Sequence, residues 1–405
     1  MRETIAVTGL GITTCLGIGR EENWRRLREG RSGLGPLTRF ERGDSPVRDG
    51  GEAPPPAERP EEEGLAFEVR HLLGAVREAW SHAGLAPQPP LDRQVGVVIG
   101  SSLAGSSAAD RFFRAFHEKG PREVDYGLLD AYYMEGELQA VSKALGATGP
   151  ALLVSNACAA GGSSLAQGAR WLLAGQADLV VAAGYDPLSI FTFAGFGSLL
   201  ALSTSRLRPF SRNRDGMLLG DGFAAVVLEP SSRARAEGRR VLAEVSGYGE
   251  STDAYHLTHP HPRGEGAVLA MRRALEMAGL DPSDVDYINC HGTGTRPNDS
   301  AEAAALRQVF GERLPAIPLS SSKPFFGHTL GGAGTVEAVV TILSVLHGFL
   351  PANLNLDEVD PEFGDLHLLR EGRPAAVRHA MSNNFGFGGS NASLIFSRAP
   401  VEERP

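Results

Sequence analysis

One cysteine, two histidines and one lysine stand where a side chain can do chemistry rather than fill space. Cys158 lies in "SNACAAGGSSLAQGARW" (155–171), where an apolar, strand-like run hands over to a small-residue segment that opens a helical pattern. At such a junction the unpaired N–H groups of the helix and the positive end of its dipole stabilise a thiolate. The expectation is a lowered thiol pKa and a nucleophile, with Ala159 to Gly162 small enough for a substrate to come close. On this segment alone a small buried cysteine is the commoner case.

His291 closes the apolar run "VDYINCHG" (285–292), so its ring is expected at a strand's C-terminal edge, where open α/β sheets place their sites. Gly292, Thr293, Gly294 and Thr295 follow, offering hydroxyls and accessible backbone to a polar ligand. Cys290 should face the other side of the strand and fill the core. Lys323 and His328 share "SSSKPFFGHTLGGAGTVEA" (320–338) with a glycine-rich turn and Glu337. The lysine is informative: only Lys119, Lys143 and Lys323 interrupt a sequence that otherwise writes its cations as arginine, which fits either a need for a compact ammonium there or chance placement of one of three lysines. In "SNNFGFGGSNASLIF" (382–396), Phe385 and Phe387 alternate with Gly386, Gly388 and Gly389, which fits an aromatic hinge or a β-bulge.

Elements that could position these groups alternate along the chain. Strand-like runs are "TIAVTGLG", "VGVVIGSS" (95–102), "ALLVSN" (151–156), "DLVVAAG" (178–184) and "FAAVVLE" (223–229), with helices over 66–83, 136–145 and 160–174. A second series follows: "VLAEVSGYG", a helix at 265–279, "VDYINCHG", a helix near 299–310, "AIPLSSS", a helix at 332–347, and closing strands at 377–383 and 392–397. Two α/β series suggest a duplication, with halves at 1–240 and 241–405. The Gly-, Pro- and charge-dense segment 42–63 reads as an exposed excursion, and the Arg- and Gly-rich loop "RLRPFSRNRDGMLLGDG" (206–222) could border a site.

The chain has 405 residues, 42% of them hydrophobic, and a net charge of −9, which describes a globular protein and argues against nucleic acid as a partner. Three separated cysteines without CxxC spacing give neither a disulfide framework nor a structural metal site, and fit the cytoplasm. No secretory leader pattern is visible and no run of about 18 apolar residues predicts a membrane span. The glycine segments match neither the dinucleotide-binding fingerprint nor a P-loop.

Taken together, the Cys158, His291, Lys323–His328 and "NFGFGGSN" segments resemble the β-ketoacyl-acyl carrier protein synthases of the thiolase-like condensing-enzyme superfamily, in the elongating Cys-His-His branch. The likeness runs from "VTGLGITTCLG" to "NFGFGGSNASLIF". Thiolases would carry a second, late cysteine, and initiating synthases an Asn in place of the second histidine.

The resemblance implies a five-layered αβαβα fold from two duplicated halves and a homodimer, or a heterodimer with a ketosynthase-like subunit. It also implies roles. Cys158 would take an acyl group from an acyl carrier protein, with the N–H groups of Cys158 and Phe387 as oxyanion hole. His291 and His328 would promote decarboxylation of malonyl carrier protein. Lys323, neutralised by Glu337 or Glu302, would hold His328, and Asp299 would support the same region. Thr293 and Thr295 would contact the phosphopantetheine arm, and Phe387 would act as a gate. No tightly bound cofactor and no metal is implied. Fatty-acid and polyketide elongation are both compatible, and so is a noncatalytic, chain-length-determining subunit, against which the retained cysteine argues. One departure concerns docking: "RPEEEG" (59–64) stands where a basic cluster is expected, leaving Arg206, Arg208, Arg212 and Arg214 as a substitute surface for an acidic carrier.

Overall fold

The computed structural model describes residues 3–86, 93–133 and 135–400. Ten strands form one continuous path: β1 (Ile5–Thr14), β2 (Val95–Gly100), β3 (Ala151–Val154), β4 (Leu179–Asp186), β5 (Gly222–Pro230), β6 (Ala243–Thr252), β7 (Tyr287–Asn289), β8 (Leu319–Ser320), β9 (His379–Phe385) and β10 (Ser390–Ser397). Their order across the sheet is β8-β7-β9-β10-β6-β1-β5-β4-β2-β3. Outward from the central β6·β1 pair, one half reads β1-β5-β4-β2-β3 and the other β6-β10-β9-β7-β8. Each strand of the first half thus has its counterpart five strands later. The pairings repeat as well: two antiparallel steps followed by two parallel ones on each side.

The duplication is also written in residues, in a place the periodicity alone does not reveal. β1 contains "VTGLGITT" and β6 contains "VSGYGEST". A Cβ on Gly9 or Gly11 would lie 2.0 or 1.9 Å from the carbonyl oxygens of Ala79 and Ala75, in helix α1 (Phe67–His82). A Cβ on Gly247 or Gly249 would lie 2.1 or 2.0 Å from those of Ala274 and Ala270. The glycine pair of each half therefore lets one helix lie directly on its strand.

Helices fill the remaining layers. Alongside α1 stands α2 (Glu135–Leu145) on the outside of the first half; α4 (Glu265–Ala278) and α5 (Arg296–Phe310) cover the second. Between the halves lie α3 (Ala160–Leu173) and α6 (Ala333–His347), packed against each other and against strands of both halves. Their contact is close enough that a Cβ on Gly334 would sit 2.1 Å from the Gly162 nitrogen. This gives the five αβαβα layers. β1 and β4 are buried along their whole length, which explains why they read as near-continuous apolar runs. One described helical stretch, Leu330–His347, has the length and hydropathy of a membrane span, and 89% of it is buried in the central layer.

Three expectations need correction. The last two strands meet closer to the hinge than predicted, at Phe385 and Ser390, because the glycines are confined to the short connection 386–389. "AIPLSSS" yields only a two-residue strand, Leu319–Ser320. The segment 42–63 is not simply an exposed excursion. Buried Asp221 accepts from the Arg39 side chain at 2.9 and 2.6 Å and from the Ala53 N–H at 2.7 Å, so the chain is anchored just before the segment and at its middle. Gly51, where a Cβ would meet the Phe326 oxygen at 2.3 Å, threads between them.

Candidate active site

Cys158 follows β3 and precedes α3, as the sequence suggests. The turn is strained: Ala157 has φ 55°, a left-handed conformation that costs a β-carbon about 1–2 kcal/mol. That turn sets the thiol beside the "NFGFGGSN" loop, whose Phe387 N–H favours the thiolate. Gly386 makes the approach possible, since a Cβ there would lie 2.9 Å from the Cys158 nitrogen. The 386–387 backbone is thereby brought up against the Cys158 nitrogen.

The thiol is not, however, lowered in pKa. Burial pushes it up to about 12; the Lys323 cation and the Phe387 N–H oppose this, while Asp186 and Glu337 add to it. In a water-poor pocket, desolvation of the thiolate outweighs the helix end. Cys158 therefore rests as a thiol at neutral pH.

His291 and His328 face it. Cys158 Sγ and a ring nitrogen of each histidine lie within 4.8 Å of one another, and the two imidazoles meet edge-on with centroids 5.3 Å apart. Each ring is held from behind through Nδ1. Lys323 Nζ lies 3.1 Å from His291 Nδ1, and the Leu330 N–H donates to His328 Nδ1 at 3.1 Å. Accepting at Nδ1 leaves the proton of a neutral imidazole on Nε2. Both rings are held neutral, their pKa values well below the usual histidine range, by burial and by the Lys323 cation. The result is two Nε2–H donors beside one sulfur. The same three residues have the composition of a zinc site, but a ligating histidine usually donates from its outer nitrogen; here both outer nitrogens accept, so the inward lone pairs are taken up by protons.

Lys323 is fully buried and its ammonium has three partners: His291 Nδ1, the His291 carbonyl at 2.5 Å and Glu337 Oε1 at 2.5 Å. Three N–H groups meet three acceptors. The lysine therefore holds His291, not His328 as expected from the resemblance, and its counter-ion is Glu337, not Glu302. Glu337 Oε2 accepts from Asn384 Nδ2 at 2.6 Å, and burial pushes its carboxyl up to about 7. Glu302 instead accepts from the backbone N–H groups of His291 and Gly292, both at 2.8 Å, fixing the turn that carries the ring. Asp299 does the same for the next turn, accepting from Gly294 N–H at 3.2 Å and Phe210 N–H at 2.9 Å. Cys290 packs in the apolar core, as read from the strand alternation.

A cavity of about 390 Å³ opens onto these groups, lined by Cys158, His291, His328, Thr293, Thr295 and Phe387 among others. The two threonine hydroxyls are 2.8 Å apart and half-shared, so each can turn to a polar ligand. Phe387 is half-buried, its ring 5.6 Å from that of Phe196. Asp215 to Met217 of the 206–222 loop also line the cavity. Arg214 lines it too, but is no docking residue: it is buried between Asp299 and Asp360, 2.6 Å from the latter. Arg206 and Arg212 are exposed, and Arg212 is paired with Glu358. Of the three glutamates in "RPEEEG", Glu61 and Glu63 face outward, whereas Glu62 is buried against Arg77.

Sequence reasoning missed Asn384 and the Leu330 N–H. Neither had a visible signal, because a side-chain amide and a backbone group become functional only through what they face.

Comparison with known proteins agrees with this geometry. A 3-oxoacyl-[acyl-carrier-protein] synthase 2 of Synechocystis sp. is 34% identical over 411 residues, covering 98% of both chains. Among solved structures, the ishigamide ketosynthase/chain length factor superposes with a TM-score of 0.92 at 31% identity, covering 99% of this chain and all of the other. A type II polyketide synthase acyl-carrier protein in complex with its ketosynthase bound to the hexaketide gives a TM-score of 0.91 at 26% identity over 98% of this chain and 100% of that one. Residues 2–234 match the beta-ketoacyl synthase N-terminal domain and residues 242–357 its C-terminal domain, and the chain belongs to the β-ketoacyl synthase family.

Proposed function

We propose that this protein is a β-ketoacyl-acyl carrier protein synthase that elongates an acyl chain by decarboxylative condensation. The observation that carries the reading is the thiol facing two imidazoles, each held from its far nitrogen by a donor.

In the first half-reaction Cys158 sulfur attacks the thioester carbonyl of an acyl carrier protein. The oxyanion accepts from the N–H groups of Cys158 and Phe387, the carrier thiolate leaves, and the proton of the cysteine ends on that thiol. In the second, the thioester oxygen of malonyl carrier protein accepts from Nε2–H of His291 and His328. The C–C bond to the carboxylate breaks, carbon dioxide departs, and the electron pair is held as an enolate. Neutral donors suit this step, because a carboxylate would repel the developing charge and water would compete for it. The enolate carbon attacks the acyl-cysteine carbonyl, the same two N–H groups hold the oxyanion, and Cys158 thiolate leaves and is reprotonated from solvent. Thr293 and Thr295 take the amide-bearing phosphopantetheine arm; Phe387 separates the two steps by its ring position.

The carrier protein is the substrate's vehicle, and the protein works as a homodimer or beside a ketosynthase-like subunit. Support for a second subunit comes from β3, an outer strand with Leu152 exposed. A cytoplasmic location suits the unpaired cysteines.

The test is to incubate the protein with a panel of acyl carrier proteins and to measure both the mass added at Cys158, against Cys158→Ala, and carbon dioxide released from malonyl carrier protein. A specific adduct and carbon dioxide release support the reading. Absence of both, with the fold intact, refutes it.

A further inference from the structure

β4 ends in a carboxylate that has no cationic partner among the described residues. Asp186 is fully buried, and its two oxygens are occupied entirely by donors from two separate segments. From the loop after β2 it receives Ser101 Oγ–H at 2.6 Å, Ser102 N–H at 3.0 Å and Leu103 N–H at 3.0 Å. From the other half of the chain it receives the Gly331 N–H at 2.6 Å. Gly331 directly follows Leu330, whose N–H fixes the His328 tautomer and whose φ of 51° is left-handed for a branched residue. That turn is strained and needs something to hold it. The fit is tight: a Cβ on Gly331 would lie 2.4 Å from the Ser102 nitrogen.

We infer that Asp186 is a positioning residue for His328: it grips the 330–331 turn from the first half and so keeps the Leu330 N–H aimed at Nδ1 and the Nε2–H aimed at the substrate oxygen. The inference rests on the proposed reaction, in which His328 acts in decarboxylation and not in acyl transfer. Asp186 touches neither substrate nor reacting atom. Its charge stands near Cys158 and works against the thiolate, so its presence is not explained by the nucleophile. A carboxylate is required because four donors converge on it; an amide of the same shape offers one acceptor and would turn its NH2 toward one of the donors.

Asp186→Asn tests this. Malonyl carrier decarboxylation and transfer of a preformed acyl group to Cys158 are measured separately on the full-length protein. The expected result is a loss of carbon dioxide release of about 10- to 100-fold, the scale of a displaced catalytic group, with acyl transfer changed by less than about threefold. Ser101→Ala, which removes one donor from the opposite side of the carboxylate, should leave both rates near the parent. Equal losses in both half-reactions, or no loss in either, would overturn the inference. If Asp186→Asn does not fold, Gly331→Ala approaches the turn from the Ser102 side and must show the same selective loss. Failure of the parent protein to release carbon dioxide at all would sink the proposed reaction instead, which keeps the two failures apart.

Discussion

Replacing Lys323 by methionine separates what this lysine does for stability from what it does for chemistry. Methionine keeps the stem and removes the ammonium, leaving Glu337 buried with Asn384 as its remaining partner and His291 Nδ1 without a donor. Breaking one side of a buried ion pair costs about 3–5 kcal/mol. The cost should depend on pH, and its sign follows from Glu337. Its folded-state carboxyl already lies at about 7, above an unfolded value near 4.5, and loss of the cation raises it further. An acid raised in the folded state binds the extra proton there, so stability is lost as pH rises toward the folded value. The parent has passed most of that fall by pH 7; the variant has not. The gap between them should widen by up to about 1.4 kcal/mol for each pH unit above 7. The double variant Lys323→Met/Glu337→Gln removes both charges and should close most of the gap at every pH. Carbon dioxide release, however, should stay down about 100-fold in both variants, because neither restores the donor that sets the His291 tautomer. Urea denaturation at pH 6, 7 and 8, with decarboxylation measured on the same preparations, reads both effects. A gap that does not grow with pH, or a double variant that regains decarboxylation, would refute the reasoning.

Alkylation of Cys158 by iodoacetamide should accelerate about tenfold per pH unit between pH 7 and 9, since burial holds the thiol near 12; a plateau near pH 7 would mean that the helix end wins after all. Gly386→Ala should slow acyl transfer about 100-fold while the protein still folds, because its methyl would lie 2.9 Å from the Cys158 nitrogen and open the oxyanion hole; an unchanged adduct rate would show that the hole lies elsewhere. His71 is wedged between Phe67 and Phe223, and burial, Arg39 and Arg70 lower its pKa to about 4. A base lowered in the folded state loses stability as pH falls from its unfolded value near 6.5 toward 4. His71→Phe should therefore flatten the acid limb of the stability curve by about one proton over that window, as read by urea titrations at pH 4.5 and 6.5.

The convergence of Cys158, both histidines and the Phe387 loop on one cavity is legible in the sequence because each stands where an apolar run meets small residues, and such junctions are local. Their electrostatics are not. The helix end at Cys158 predicts a lowered thiol; burial, which depends on every layer packed around it, reverses the sign. Lys323 is conspicuous as one of three lysines, but the resemblance places it with His328, whereas the turn at Gly327, with φ 86°, carries His328 away and leaves the ammonium beside His291, 32 residues upstream. Arginines 206–214 read as one surface cluster, yet Arg214 turns inward to Asp299 and Asp360, residues too distant in sequence to suggest the pairing.

The duplicated topology explains why the site exists where it does. β3 and β8 are equivalent strands; one is followed by Cys158 and α3, the other by Lys323, His328 and α6. His291 follows β7, the equivalent of β2, whose own following loop supplies Ser101 to Leu103 to Asp186. Because α3 and α6 pack at their N-terminal turns, with Gly161, Gly162 and Gly334 too close for any side chain, corresponding ends of both halves converge on one spot. One half brings the thiol and the other brings both donors. Neither half contains a complete site, so the glycine contact between α3 and α6 belongs to the chemistry as much as to the packing: Gly334→Ala, with its Cβ 2.1 Å from the Gly162 nitrogen, must push the halves apart or bend a helix, and either movement separates Cys158 from the histidines. Acyl transfer, which needs only the first half and the 386–387 loop, should survive that change better than condensation, which needs the acyl group on the sulfur within reach of the enolate that both imidazoles hold.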